Sequence, residues 1–155
     1  MTADSAYPPL REVLVQTGEM VLLDRIEHHS AGETVCIATP AISPWLLEPD
    51  GAAPTWLSVE YMAQCVAVHG NLESRRKSEQ VQLGLLLGSR RLEFATAFLE
   101  SHREHRISVR PLRIGKLAVF DCDIRHEPHG DVLAYGRLNV FRSPNPEPPR
   151  EGGPE

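Results

Sequence analysis

The chain has 155 residues, with 16 Lys and Arg against 21 Asp and Glu, for a net charge of −5. That balance excludes a general nucleic-acid binder, which needs a net basic domain. The charge is uneven: residues 1–74 carry −8, residues 75–116 carry +6 and residues 117–155 carry −3. One local basic block is therefore available for an acidic partner or a phosphate. The length suits one domain with a real core, and 41% hydrophobic with 24% charged residues is a globular composition. Cys36, Cys65 and Cys122 form neither a disulfide framework nor paired metal-ligand spacing, which fits a reducing compartment. The first ten residues have neither the basic start nor the apolar core of a signal peptide. No run approaches the ~20 apolar residues of a spanning helix. A cytoplasmic protein that engages no membrane is expected.

In chain order, Met20–Ile26 and Glu33–Pro40 are short, branched-rich runs that predict strands, with a turn over His28–Gly32. A stretch broken by proline and glycine, Pro40–Pro54, leads into a helix predicted over Thr55–Arg76, with Pro54 suited to its first turn. Trp56, Val59, Ala63, Val66 and Ala67 recur at three- and four-residue steps and predict its apolar face. Small residues Ala63, Cys65, Ala67 and Gly70 would let other backbone approach. After the helix the period changes to two. Leu83, Leu85 and Leu87 alternate with Gly84, Leu86 and Gly88, which predicts a strand covered on both faces. Ile107–Val109 and Leu112–Ile114 are weaker strand signals. Ala118–Ile124 alternates as a half-buried strand, and the turn-rich His126–Asp131 joins it to Leu133–Phe141 as a hairpin. One long helix with about six strands, most of them after it, predicts an α+β layer in which an antiparallel sheet covers the helix. Residues 1–142 make this domain, the first seven or so flexible. Ser143–Glu155 holds five of the thirteen prolines and two glycines and is expected to be a disordered tail.

The chemistry concentrates on Glu60 and Gln64. Glu60 falls among the apolar helix positions Trp56, Ala63 and Ala67, where burying a carboxylate is costly unless it is hydrogen-bonded or used. Gln64 lies one turn on, rotated by roughly 40°, and can hydrogen-bond to it. A buried carboxylic acid with a raised pKa would serve as general acid at neutral pH, whereas a Glu at the rim would simply reach water.

Glu60-Tyr-Met-Ala-Gln64 resembles the Glu-x-Met-Ala-Gln helix motif of the hotdog-fold β-hydroxyacyl-acyl-carrier-protein dehydratases. Met20-Val-Leu-Leu-Asp-Arg-Ile26 resembles their opening strand, and Gly84–Gly88 with Arg90–Phe94 the strand after the helix. The order and spacing of the three matches run from about residue 10 to residue 142. The dehydratase-like proteins of aryl-polyene pigment clusters are the most similar, since their helix also reads Glu-Tyr-Met-Ala-Gln and a His follows, as His69 does here. The resemblance implies a hotdog fold, one long central helix wrapped by an antiparallel sheet. It implies a homodimer, or a heterodimer with another hotdog dehydratase, whose sheets join edge to edge. It also implies an acyl carrier protein as partner, with a 3-hydroxyacyl chain of fatty-acid, polyketide or polyene type on phosphopantetheine entering an interfacial tunnel. No cofactor or metal is expected. The implied roles are Glu60 as general acid, Gln64 as its orienting partner, and Trp56, Ala63, Leu87 and Gly88 as tunnel wall.

The chain departs from that family where the base should stand. The usual His, about fourteen residues before the helix carboxylate, falls near Leu46, and a second common His near the opening strand is replaced by Val15-Gln16. His69 lies nine residues after Glu60, about 900° of rotation, so it is expected on the opposite side as a packed helix histidine. His102/His105 and His126/His129 have His-x-x-His spacing without a third ligand type and are expected as exposed loop histidines. In the basic block, Arg90, Arg91, Arg110 and Arg113 are candidates to meet a phosphate or an acidic carrier protein, while Arg75, Arg76 and Lys77 also suit a helix C-terminus. The expected activity is a dehydratase-like hydro-lyase. Its rivals are a thioesterase in which Glu60 activates water, a non-catalytic partner of an active dehydratase, and a simple acyl-binding module.

Overall fold

The computed structural model describes residues 6–79 and 83–143; the expected flexible start and disordered tail fall mostly outside them. Two helices are present, the single turn α1 (Leu10–Val13) and the long α2 (Leu57–Arg76). The strands are β1 (Arg25–Ser30), β2 (Glu33–Ala38), β3 (Ala53–Pro54), β4 (Leu83–Phe94), β5 (Phe98–Leu99), β6 (His105–Arg113), β7 (Leu117–His126) and β8 (Val132–Ser143). Six of them form one antiparallel sheet in the order β1-β2-β6-β7-β8-β4, and β3 pairs with β5 alone. The sheet curves around α2, which is the α+β hotdog arrangement.

Strand periodicity sets the layers. Ile107 and Val109 of β6, Phe120, Cys122 and Ile124 of β7, and Ala134 and Leu138 of β8 are buried in one core with the helix. Alternate residues form a charged outer face, where Arg110 meets Asp123 at 2.6 Å and Arg137 meets Asp121 at 2.9 Å. The helix supplies Leu57, Tyr61, Cys65, Val68 and Leu72 to the core, at four- and three-residue steps. Met62 reaches a second site: a Cβ on Gly136 would lie 3.1 Å from Met62 Cε and 3.2 Å from Leu92 Cδ1, so glycine lets the helix close on β8.

Several expectations are corrected. The apolar helix face is rotated from the predicted one: Trp56 is 57% exposed, and Val59, Ala63 and Ala67 are half-buried. The sheet takes the larger side chains because they fill the interlayer space, and the small ones are left on the other side. Helix α2 starts at Leu57, not Thr55. Pro54 belongs to β3, opposite Phe98, and Thr55 N–H and Oγ1 donate to Ala97 O and Thr96 O. Val21–Asp24 is not strand, because Leu22 N–H donates to the Gln64 side chain. His28–Ser30 continues β1, which leaves Ala31-Gly32 as the turn. The two weak signals at Ile107–Val109 and Leu112–Ile114 merge into β6, which ends at Arg113.

Strand β4 is the last strand of the sheet, and Leu85, Leu86 and Leu87 are 49%, 44% and 60% exposed rather than covered. Its free edge pairs with no other strand among the described residues. His105 and His126 are not loop residues. They face each other across β6 and β7, with ring centroids 5.0 Å apart, and His105 is fully buried.

Burial, then His126, holds the His105 ring down at a pKa of about 4, against about 6.5 in the unfolded chain. Below pH 6.5 the unfolded chain takes up a proton that the folded chain refuses, so this part of the stability is present above pH 6.5 and lost between 6.5 and 4. It amounts to about 3 kcal/mol at one unit per ~1.4 kcal/mol. Urea denaturation at stepped pH is expected to show a shallower fall between pH 6.5 and 4 for His105→Phe than for the unaltered chain.

Candidate functional site

The side of α2 turned away from the large core residues carries Glu60, Ala63, Ala67, Gly70, Ser74 and Lys77, again at three- and four-residue steps. Small side chains there leave a groove of about 300 Å³ along the helix. A Cβ on Gly70 would meet nothing within 4 Å. The opposite wall comes from Gly84 and Leu86 of β4, Ala118 and Phe120 of β7, Val140 and Arg142 of β8, and Ile114; Val15 and Gln16 also contribute. Apolar side chains of β4, β7 and β8 face a helix wall that also carries Gln64, His69 and Ser74, with Glu60 toward the helix start and Lys77, Glu79 and Arg142 toward its end.

Glu60 is half-buried and opens on this groove rather than being enclosed. Gln64 is buried and fully committed. Its Oε1 accepts from Leu22 N–H at 3.0 Å, and its Nε2 donates to Met20 O at 2.8 Å and to Glu60 Oε1 at 3.0 Å. One amide therefore ties the 20–22 segment to the helix and fixes one carboxyl oxygen of Glu60. Glu60 Oε2 has no hydrogen-bond partner among the described residues. A carboxyl held by one oxygen and open at the other can give or take a proton.

Farther along, His69 also lines the groove, although it is only 2% exposed and lies on the helix flank toward β2. Its Nδ1 is 2.8 Å from Thr34 Oγ1, which is 2.7 Å from His29 Nδ1, and His29 Nε2 is 3.0 Å from Glu73 Oε1. Burial first, then His29, lowers the His69 pKa to about 4, so its ring is neutral at pH 7. Hydrogen bonds from Arg76, then from His29, hold Glu73 at about 2. Sequence spacing linked Glu60 with Gln64 but missed this chain, since only His69 and Glu73 share a helical turn; His29 and Thr34 arrive through the β1–β2 hairpin.

Of the other residues singled out from sequence, Ala63 lines the groove, whereas Trp56, Leu87 and Gly88 do not. Gly88 has φ +148° beside a break in the β4–β8 register, which turns the strand rather than shaping the groove. Arg110 is held on the outer sheet face by Glu33 and Asp123. Arg91 pairs with Glu93 and lies over the Tyr135 ring. Arg90 and Arg113 are exposed and enter no salt bridge among the described residues. None of the four lines the groove; Lys77 and Arg142 do. Where the family's usual His would fall, Leu46 and Leu47 pack against the core. No group of three or more His, Cys, Asp or Glu side chains among the described residues is placed to hold a metal ion. No helix there is long and apolar enough to cross a membrane.

Gln64→Leu is expected to leave Leu22 N–H and Met20 O without partners, at a cost of about 1–3 kcal/mol in urea denaturation. Gln64→Glu keeps the acceptor for Leu22 but buries a second carboxylate beside Glu60 Oε1 and Met20 O. It is expected to be at least as destabilising as that variant at pH 7 and to recover stability as the pH falls.

The chain resembles known proteins in sequence and in shape. A chain of the dehydratase heterocomplex ApeI:P from Xenorhabdus doucetiae matches with a TM-score of 0.81 and 28% identity, over 88% of this chain and 92% of that one. A hypothetical thioesterase from Streptococcus pneumoniae, solved with coenzyme A, matches with a TM-score of 0.59 and 18% identity over 77% and 84%. The PaaI protein of the E. coli phenylacetic acid degradation operon gives 0.58 and 14% over 76% and 81%. These last two share the fold alone. No curated protein matches the chain. Residues 8–149, which hold both the Glu60–Gln64 pair and the groove, match the ApeP-like family, described as ApeP dehydratase, and the chain belongs to that family.

Proposed function

We propose that this dehydratase-family hotdog protein eliminates water from 3-hydroxyacyl thioesters carried on acyl carrier protein, in fatty-acid or polyene-type synthesis. The carrying observation is the Glu60 carboxyl, fixed through Oε1 by Gln64 and open through Oε2 to a groove whose sheet wall is largely apolar. In this reading Glu60 protonates the departing C3 hydroxyl, and Gln64 keeps the carboxyl aimed. The groove takes the acyl chain, brought in on phosphopantetheine with no further cofactor. A hotdog partner, a second copy or another dehydratase, pairs along the free β4 edge, whose exposed leucines are otherwise an aggregation hazard.

A second reading is an accessory subunit that shapes an active partner's tunnel. It is favoured by Leu46 standing where the family's His is usual and by the likeness to a chain of a heterocomplex. The thioesterase reading, with Glu60 activating water, rests on the shared fold alone.

Incubation with 3-hydroxyacyl carrier protein separates them. Alkene formation by the protein alone, lowered by about 10² or more in Glu60→Gln, is the expected result. Turnover untouched by Glu60→Gln removes that residue from the chemistry, and free thiol without alkene favours the thioesterase. Turnover only when a partner dehydratase is added favours the accessory subunit.

Of the four arginines singled out from sequence, Arg90 and Arg113 enter no salt bridge among the described residues and are assigned to the carrier surface. Their replacement by Ala is expected to weaken carrier binding a few-fold at low salt and less at high salt in titration calorimetry. Arg110→Ala is expected to act on stability instead, by leaving Asp123 short of one partner.

A further inference from the structure

The hydrogen-bond chain from Glu73 to His69 takes one direction when His29 carries a single ring proton. A carboxylate only accepts, so His29 Nε2 carries a proton toward Glu73. With His29 neutral, its Nδ1 is then an acceptor, and the one hydroxyl proton of Thr34 points to it. Thr34 Oγ1 in turn accepts from His69 Nδ1–H. That leaves His69 Nε2 unprotonated, with no partner among the described residues, on a ring that lines the groove. Phe120, edge-on to the ring at 5.5 Å between centroids, helps hold this orientation.

We propose that His69 is the proton acceptor of the groove, and that Thr34, His29 and Glu73 form a relay that carries the resulting charge away from it. When Nε2 takes a proton, Nδ1–H passes to Thr34 Oγ1 and the Thr34 proton passes to His29 Nδ1. The positive charge settles on His29 beside the Glu73 carboxylate. His69 ends neutral, now protonated at Nε2. A buried imidazole that resists charging thereby serves as a base, because the charge does not stay on it. The other ionisable groups about the relay are Arg76, paired with Glu73; Tyr7, whose hydroxyl accepts from His29 N–H; and Lys77, Glu79 and Arg142, which line the groove.

This inference rests on the dehydratase reading for its substrate. In that reaction the C2 proton of the 3-hydroxyacyl thioester goes to His69 Nε2, and the C2–H electron pair becomes the C2=C3 bond. The C3 oxygen leaves as water with the proton of a carboxylic acid. Along α2, nine residues separate His69 from Glu60, about 13.5 Å at 1.5 Å per residue, too far for both to act on adjacent carbons. The chain's own Glu60 is therefore not the acid at His69, and in this proposal that role falls to Glu60 of a second copy of this chain.

Two measurements test this, and they fail separately. Histidine 15N spectra of the folded protein across pH 4–8 are expected to show His69 protonated at Nδ1 at neutral pH. On acidification it should switch to Nε2 together with the protonation of His29, and Thr34→Val should uncouple the two. A His69 protonated at Nε2 at neutral pH, or one that titrates independently of His29, overturns the relay whether or not the protein is a dehydratase.

In turnover, His69→Asn is expected to lower kcat by about 10² to 10⁴ with little change in KM. Thr34→Val, which keeps the ring and the side-chain shape, is expected to lower kcat by roughly tenfold and to shift the acid limb of the pH profile. Mixing His69→Asn with Glu60→Gln is expected to restore roughly a quarter of the activity, because about half of randomly exchanged dimers are mixed and each has one intact site. A kcat for His69→Asn within about threefold of the unaltered chain, with Glu60→Gln inactive, overturns the base and leaves the dehydratase reading in place. Failure of the mixture to recover activity overturns the shared site. If His69→Asn does not fold by circular dichroism, Thr34→Val decides: an unchanged kcat and pH profile overturn the role. Absence of turnover by the unaltered protein overturns the dehydratase reading and the base together, and the spectra alone then judge the relay.

Discussion

Along α2, Leu57, Tyr61, Cys65, Val68 and Leu72 lie on one side, and Ala63, Ala67, Gly70 and Ser74 lie on another. That asymmetry in side-chain volume is the constraint on which the rest of the molecule depends. The sheet closes on the large residues because apolar area is removed from water there and close packing rewards filled space. The small residues cannot fill the space between the helix and the β4–β8–β7 end of the sheet, so a groove remains. The carboxyl of Glu60 and the ring of His69 are placed at its wall by the same helix that anchors the core.

Polar groups inside this arrangement are satisfied by a few side chains that serve two purposes. Gln64 supplies hydrogen bonds that the irregular 20–22 segment lacks and, with its remaining N–H, orients Glu60. Thr34 gives its backbone to the β2 ladder and its hydroxyl to two histidines. Satisfying the fold and aligning the reactive groups are here one problem, since a buried amide or hydroxyl left unpaired costs more than the net gain of one bond made. The charges are kept apart in the same way. Arg110, Arg125 and Arg137 are absorbed by Asp121 and Asp123 on the outer sheet face, which leaves the groove side with few cations.

The edge of the sheet follows from its order. Among the described residues, strand β4, the next main-sheet strand in sequence after the helix, pairs only with β8; its Leu85, Leu86 and Leu87 are exposed, and Leu86 lines the groove. That long edge, unpaired among the described residues, adjoins the wall formed by Gly84 and Leu86 and is the surface proposed for a hotdog partner.

The residues by themselves determined the class of the fold, the presence of one central helix, the strands of the second half of the chain and the adjacency of Glu60 and Gln64. Each rests on short-range periodicity: two residues for a strand, 3.6 for a helix, one turn for the pair. The same periodicity misjudged which helix face is buried, because several rotations carry apolar residues and only packing against the sheet chooses among them. It also drew Val21–Asp24 as strand, when a glutamine 42 residues from Leu22 takes the hydrogen bond, and β4 as covered, when sheet order makes it an edge. The link from His29 through Thr34 to His69 and Glu73 was beyond its reach for a like reason. Those groups come from a hairpin and a helix whose relative placement is decided by burial of the core, so the tertiary structure alone brings them within hydrogen-bond distance.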